Sequence, residues 1–372
     1  MKSKTLIEIN PLMKNSPLLN PCAYLAPLPF FRCSGLFLLL GLLWSGCASV
    51  VRTRYEGPNF ILKELDKGVY AGIHRFGGTA TCNVGVVDNG RETIVFDAFL
   101  SPDAATELIA TIQRLGLSPI RYVINSHSHN DHVRGNQSFG SDVRIVSTRK
   151  TAETMAIEEP LAMQAEKGYA GKQAAFFDQR MKEFRGDTNS RPFLAMKMMR
   201  PYFRELSQSH EKIKTRLPDT FVDHTLDLSG PGNTVKVLDM GACHSGSDLA
   251  MYLPAKKILF TGDIAFNEFH PFLPDGDPDH WRVALRQLQH MDVRRLMPGH
   301  GEVGGKEILS RMHTYLDELE ARATQLARRG IPPTEADQQV PEKYASWWLD
   351  NFFATNLNFM YQRALGKAPA GH

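Results

Sequence analysis

The chain has 372 residues, and its 43 Lys and Arg against 40 Asp and Glu leave a formal net charge of +3, a balance that gives no support for a nucleic-acid-binding surface. With 42% apolar and 22% charged residues it is composed like an ordinary globular protein, long enough for one large α/β domain or two smaller ones. Its five cysteines, Cys22, Cys33, Cys47, Cys82 and Cys243, make no C-x-x-C pair and no disulfide framework.

Lys2, Lys4, Lys14 and Arg32 precede the apolar run from Gly35 to Trp44, which leads to Ser45-Gly46-Cys47. A basic lead, a short apolar segment and small residues read as an export signal. The stretch before Cys47 resembles a bacterial lipobox, with Trp44 where that pattern takes an aliphatic residue, so Cys47 is the expected point of lipid attachment. The alternative is an uncleaved anchor, although the dense apolar part is only ten residues, against the ~20 a spanning helix needs. Residues 1–47 are read as an address to the periplasm or outer membrane, with membrane contact through the lipid or anchor. Residues 48–58 follow as a tether, and the folded domain runs over 59–330.

Within that domain, Val69 to Val87 alternates apolar stretches with Gly and Thr, with a hairpin signal at Gly77-Gly78. Thr93 to Phe96 reads as a buried strand ending at Asp97. Ser101-Pro102 opens a helix with Ser as cap and Pro in the first turn, striped by Leu108, Ile109, Ile112 and Leu115 and stopped by Gly116. Ile120 to Ile124 and Val143 to Val146 are the next strands. A helical insertion over about 151–214 carries Met155, Met163, Met181, Met196, Met198 and Met199. It is either a lid over a substrate pocket or helices packed on the body with Met as filler. Strand signals resume at Thr234 to Met240, Asp248 to Leu253 and Lys257 to Thr261. A helix follows from Asp277-Pro278, then a strand at Val293 to Met297 and a helix striped by Leu309, Met312, Leu316, Leu319, Ala323 and Leu326. The tail, 331–372, holds Trp347, Trp348, Phe352, Phe353 and Phe359 and is expected to dock as a helix.

The chemistry is concentrated in Asn125-Ser126-His127-Ser128-His129-Asn130-Asp131-His132, which hangs from the end of the strand Ile120 to Ile124. So many imidazoles beside a carboxylate are costly in a core, and they are good donors for Zn²⁺. The spacing offers His127 and His129 to one metal and Asp131 and His132 to a neighbour. Three later turns each hold one more candidate: His244 in Gly241 to Asp248, Asp263 after Gly262, and His300 in Pro298-Gly299-His300-Gly301. A lone His is usually a satisfied core residue; four such spots at strand ends of one chain are not coincidence.

The set of Asp97, His127/His129/Asp131/His132, His244, Asp263 and His300 resembles the metallo-β-lactamase superfamily of metallohydrolases. The resemblance implies an α/β fold, an αβ/βα four-layer sandwich of two facing mixed sheets with helices outside, here with a helical insertion and a C-terminal helix. It implies two Zn²⁺ per chain, although iron or manganese would fit the same donors. His127, His129 and His244 would hold the first ion, Asp131, His132 and His300 the second, with Asp263 as the bridge and Asp97 orienting the loop from behind. Asp131 and Asp263 would be catalytic, in a hydrolysis where a water between the metals attacks the substrate. Cys243, beside His244, is expected to face away from the site, because adjacent strand-like residues point to opposite faces. His74 and His270 are expected to line the mouth of a small-molecule pocket.

The implied activity is that of an exported dinuclear zinc hydrolase acting on an ester, lactone or amide-type bond. The family's cysteine-using β-lactamases carry Cys where this chain has Asp263, yet the segment Pro298 to Gly304 resembles theirs, which keeps a metallo-β-lactamase as the alternative. From another class, a non-catalytic zinc-binding envelope protein would use the same fold.

Overall fold

The computed structural model describes residues 51–335 and 339–367, so the expected export signal and Cys47 lie outside the described residues. The first sheet holds β1 (Arg52–Glu56), β2 (Phe60–Asp66), β3 (Val69–His74), β4 (Val84–Asp88), β5 (Thr93–Phe96), β6 (Ile120–Ile124), β7 (Arg144–Ser147) and β8 (Thr220–Phe221), in that spatial order. The strands are antiparallel from β1 to β5 and parallel from β5 to β8. The second sheet runs β13 (Arg295–Met297), β12 (Ile258–Phe260), β11 (Leu249–Leu253), β10 (Thr234–Asp239) and β9 (Thr225–Ser229), with only β12 and β13 parallel.

Side-chain alternation explains the layers. In β5, Ile94 and Phe96 point between the sheets while Val95 points outward to α1 (Pro102–Arg114). In β11, Leu249, Met251 and Leu253 join Ile94 and Phe96, whereas Ala250 and Tyr252 face the other side. Both strands are buried on both faces, which is why they read as continuous apolar runs rather than alternating ones. Outside the second sheet, α5 (Pro278–His290) and α6 (Glu307–Arg329) bury Trp281, Leu285, Leu309, Met312 and Leu316. The expected four-layer sandwich is the fold found.

Two helix starts follow their sequence signals. Ser101 accepts from the Ala104 N–H at 3.0 Å, and the Asp277 side chain accepts from the N–H groups of Asp279 and His280. α6 stops at Gly330, whose φ of +66° is the left-handed cap glycine permits.

The segment expected to be a tether forms β1 from Arg52 onward, an edge strand paired antiparallel to β2. Its sequence, Arg-Thr-Arg-Tyr-Glu, is almost wholly exposed and carries no apolar alternation, as suits a charged sheet edge. β2, β8 and β9 also escaped the sequence reading. β3 and β4 do pair antiparallel, but Gly77-Gly78 lies within a longer loop, 75–83, rather than forming a tight hairpin.

The insertion is a helical hairpin of α3 (Arg149–Glu183) and α4 (Arg191–Lys212). α3 has 35 residues and keeps Pro160 within it. Its buried stripe is Thr151, Met155, Glu159, Glu166, Ala170 and Ala174, and of the six insertion methionines only Met155 is fully buried. No helix among the described residues is long and apolar enough to cross a membrane.

The tail docks as α7 (Asn351–Ala364) against α6 and α5's core, burying Phe353, Leu357 and Met360. Asn356 ties it down: its side chain accepts from the Leu273 N–H at 3.0 Å and donates to the Pro271 carbonyl at 2.7 Å. Leu357 is 0% exposed, so Leu357→Ala is expected to lower stability by about 2–5 kcal/mol. Chemical denaturation checks this; an unchanged midpoint would mean that the tail is not part of the core.

Candidate metal centre

The octapeptide loop is anchored by its first residue. The Asn125 and Asn136 side-chain amides face each other, with Nδ2 to Oδ1 distances of 3.0 and 2.8 Å, and Asn125 Nδ2 also donates to the His132 carbonyl. The loop then passes over Asp97, which ends β5 in a left-handed conformation at φ +66°.

Asp97 sets the state of two imidazoles. Its Oδ1 accepts from the Ser126 N–H at 2.7 Å, and its Oδ2 accepts from the Ser126 hydroxyl and from His132 Nδ1, each at 2.9 Å. Burial raises the Asp97 pKa on balance, with His132 and Ser126 pulling against it; the hydrogen bonds decide its form, because an acid receiving three donors can satisfy them all only as a carboxylate. With its proton on Asp97, the Ser126 hydroxyl must accept from His127 Nδ1, which lies 2.9 Å away. Both rings therefore carry a proton on Nδ1 and turn Nε2 inward, the nitrogen left for a metal. Those two Nε2 atoms are buried without a hydrogen-bond partner.

His129 is oriented the other way round. Its Nε2 lies 3.2 Å from Asp275 Oδ2 and its Nδ1 3.0 Å from His244 Nε2. Burial would lower its pKa, but Asp275 outweighs that and raises it. With the outer nitrogen donating to Asp275, His129 Nδ1 is left to accept from His244 Nε2, whose other ring nitrogen is buried without a partner; a cation taken up between the two rings would displace that proton.

Asp263 stands between two groups of donors. His127, His129, His244 and Asp263 each bring one donor atom within 4.8 Å of the others, and Asp131, His132 and His300 form a second group within the same span. Asp263 Oδ2 is 3.3 Å from His244 Nε2 and 3.4 Å from His300 Nε2, while its Oδ1 is 3.3 Å from His132 Nε2. Backbone closeness makes this possible: a Cβ added at Gly299 would lie 1.8 Å from Asp263 Oδ1, and Gly262 adopts φ +51° against Ser126. Asn83 holds the His300 turn from behind, donating to the carbonyls of Pro298 and Gly301 at 2.9 and 2.8 Å.

The electrostatics call for positive charge. Burial lowers the pKa of His127, and it pushes His244 down to about 3, which leaves both neutral. Burial opposes a charge on His132 too, but the acids around it, Asp263, Asp97 and Asp131, lift its pKa well above the usual value. Burial likewise works to raise Asp263, yet His300 and His132 hold it well below the carboxylate range. The acids thus hold extra protons on rings such as His132, and a divalent metal would take the place of those protons, since deprotonated imidazole nitrogens and carboxylate oxygens are its donor set; the residues present fit one.

Every expected ligand thus converges. Cys243 turns away, as expected: it is 0% exposed in the apolar core, with its Sγ 3.3 Å from the Met240 carbonyl. His74 ends β3 with its ring 5.8 Å from that of His300, and burial pushes its pKa down to about 3. His270 goes elsewhere: it is 0% exposed, its Nδ1 lies 3.1 Å from the Tyr315 hydroxyl, and its ring packs on Trp347 and Phe353. The docked tail covers it, so it lines no pocket mouth. Sequence reading missed Ser126, Asp275 and Asn83. It also missed Asp248, whose Oδ2 accepts from the N–H groups of Cys243 and Ser245 and braces the His244 turn. Ser126 lies within the octapeptide and Asp248 closes the His244 motif; Asp275 and Asn83 give no local signal.

A family model described as the metallo-beta-lactamase superfamily matches residues 77–300. The chain belongs to that superfamily. Among curated proteins, it is 22% identical over 306 residues to a linear primary-alkylsulfatase from Pseudomonas sp., a match covering 73% of this chain and 54% of the relative. Among solved structures, it is similar to the stereoselective inverting sec-alkylsulfatase Pisa1 from Pseudomonas sp., with a TM-score of 0.59 at 18% identity over 82% of this chain and 50% of that one. This second likeness is one of fold. The chain spans about half the length of these two proteins.

Two substitutions test how the site is assembled. Asp97→Ala, which frees both tautomers, is expected to weaken metal binding about 10–100-fold. Gly299→Ala, which drives a methyl into Asp263, is expected to reduce bound metal with the rest of the fold kept. Metal analysis after equilibrium dialysis checks both; parental metal content in either variant would contradict the geometry.

Proposed function

We propose that the protein is an exported dinuclear zinc hydrolase that opens an ester-type bond in a small molecule. The observation that carries this reading is the single carboxylate of Asp263 lying within 3.4 Å of donor nitrogens from both groups. His127, His129 and His244 would hold one ion and Asp131, His132 and His300 the other, with Asp263 shared. When bound, a pair of Zn²⁺ supplies Lewis acidity to the substrate oxygen and brings the pKa of a water from ~15.7 to near 7.

The chain's own residues do the rest. Asp131 is the least buried acid of the two donor groups, with its side chain 17% exposed, and its Oδ2 is 3.5 Å from His300 Nε2. It is suited to orient the attacking water and to take up its proton. Phe266 stacks on His300 with ring centroids 5.4 Å apart, and Phe269 lies 5.8 Å away. These rings keep bulk water off that flank.

For substrate, the relatives' names bring forward sulfate esters of alkyl alcohols, beside the carboxylic esters, lactones and amides that the ligand set suits. The basic lead and the apolar run before Cys47 support export with a lipid on that cysteine. Asp263→Ala and His129→Ala are each expected to lower zinc content and cut turnover by orders of magnitude, and chelation is expected to abolish activity until zinc is restored. The assay is a panel of alkyl sulfates, carboxylic esters, lactones and a chromogenic cephalosporin. Turnover of the cephalosporin alone would turn the reading to a β-lactamase, and silence across the panel with two zincs bound would favour a non-catalytic protein. Cys47→Ala is expected to move the protein from the membrane to the soluble fraction, read by fractionation of expressing cells.

A further inference from the structure

The buried stripe of α3 contains two acids, Glu159 and Glu166, with side chains only 6% and 4% exposed. Both meet one cation, Arg134, which is 1% exposed and projects from the turn that carries Asp131 and His132. Arg134 Nε donates to Glu159 at 2.9 Å, and its Nη1 and Nη2 donate to the two oxygens of Glu166 at 2.9 and 2.8 Å, a two-pronged grip. Glu166 also accepts from Ser209 of α4 and, at 3.4 Å, from the Asn130 side chain. The helical hairpin therefore grips the metal-loop turn on both sides of Asp131-His132, at Asn130 and at Arg134.

Stability alone is a poor reason for such a cluster, because well-packed apolar residues in place of a buried ion group commonly cost nothing. Orientation is a better one. Among the described residues the Asp131 carboxylate has only the looser ion-pair contacts to His300 and His132, at 3.5 and 3.8 Å, and no hydrogen bond that fixes its direction, which follows from the placement of its short turn, Asn130–Val133. We propose that Arg134, Glu159 and Glu166 are positioning residues through which the helical hairpin sets Asp131 and His132 for the second metal ion. The inference rests on the dinuclear reading of the site.

The test is zinc binding by the whole chain, followed by competition with a chromogenic chelator and by metal analysis, with folding checked by circular dichroism. The parent is expected to bind two ions. Glu166→Gln is expected to weaken the second ion by about 10–100-fold and leave the first within about twofold. Asp178→Asn removes the hairpin's exposed ion pairs to Arg200 and Arg204 and is expected to change neither. The triple variant Arg134→Met/Glu159→Leu/Glu166→Leu keeps the interior filled without charge. It is expected to remain folded and lose the second ion, a result that packing alone would not produce. A folded triple variant holding both ions at parental affinity would overturn this inference alone. A parent that binds fewer than two ions would overturn the dinuclear reading and this inference together.

Discussion

One buried carboxylate governs the centre. By accepting from Ser126 and His132, and through Ser126 from His127, Asp97 keeps the protons of two imidazoles on their outer nitrogens. Without it, the inward lone pairs of His127 and His132 would be interchangeable with N–H groups, and a donor that carries a proton cannot bind a metal. The residue sits at φ +66°, a conformation that costs a non-glycine residue about 1–3 kcal/mol. Three hydrogen bonds to an ionised acid offset that cost.

The sandwich turns scattered residues into one cluster. β5 and β6 of the first sheet end at Asp97 and the octapeptide, and the turns around β11, β12 and β13 bring His244, Asp263 and His300 from the second. The two sheets share a core of Ile94, Phe96, Ile124, Met251, Phe260 and Met297, so the strand ends cannot drift apart without opening it. Gly299 and Gly262 then let backbone approach backbone where a side chain would hold Asp263 off.

The insertion and tail helices are joined to this centre. Arg134 ties the α3–α4 hairpin to the metal loop, Thr148 and Ser247 join hydroxyls 2.7 Å apart at the root of α3, and Arg191 at the start of α4 donates to the Ser346 carbonyl. The tail fills the core beside His270 rather than offering its aromatic residues to solvent, and Trp348 backs Phe76, itself 5.8 Å from the His74 ring. Packing of α3 was obscured in the sequence because its inner stripe mixes Met and Ala with two glutamates, which breaks the apolar period of 3.6 that marks a buried face.

The sequence by itself determined the candidate ligand set, the strands buried on both faces and the helices with clean caps and stripes, because these depend on short-range spacing and residue chemistry. The position of β1, the burial of His270, and the recruitment of Ser126, Asp275 and Asn83 were decided only in the folded chain. An edge strand of charged residues has no local apolar pattern. A histidine's surroundings depend on which distant segment covers it, here the tail docked about 80 residues later. Partners such as Asp275 and His129, 146 residues apart, meet only when two sheets close on each other, and no local pattern in the chain records that meeting.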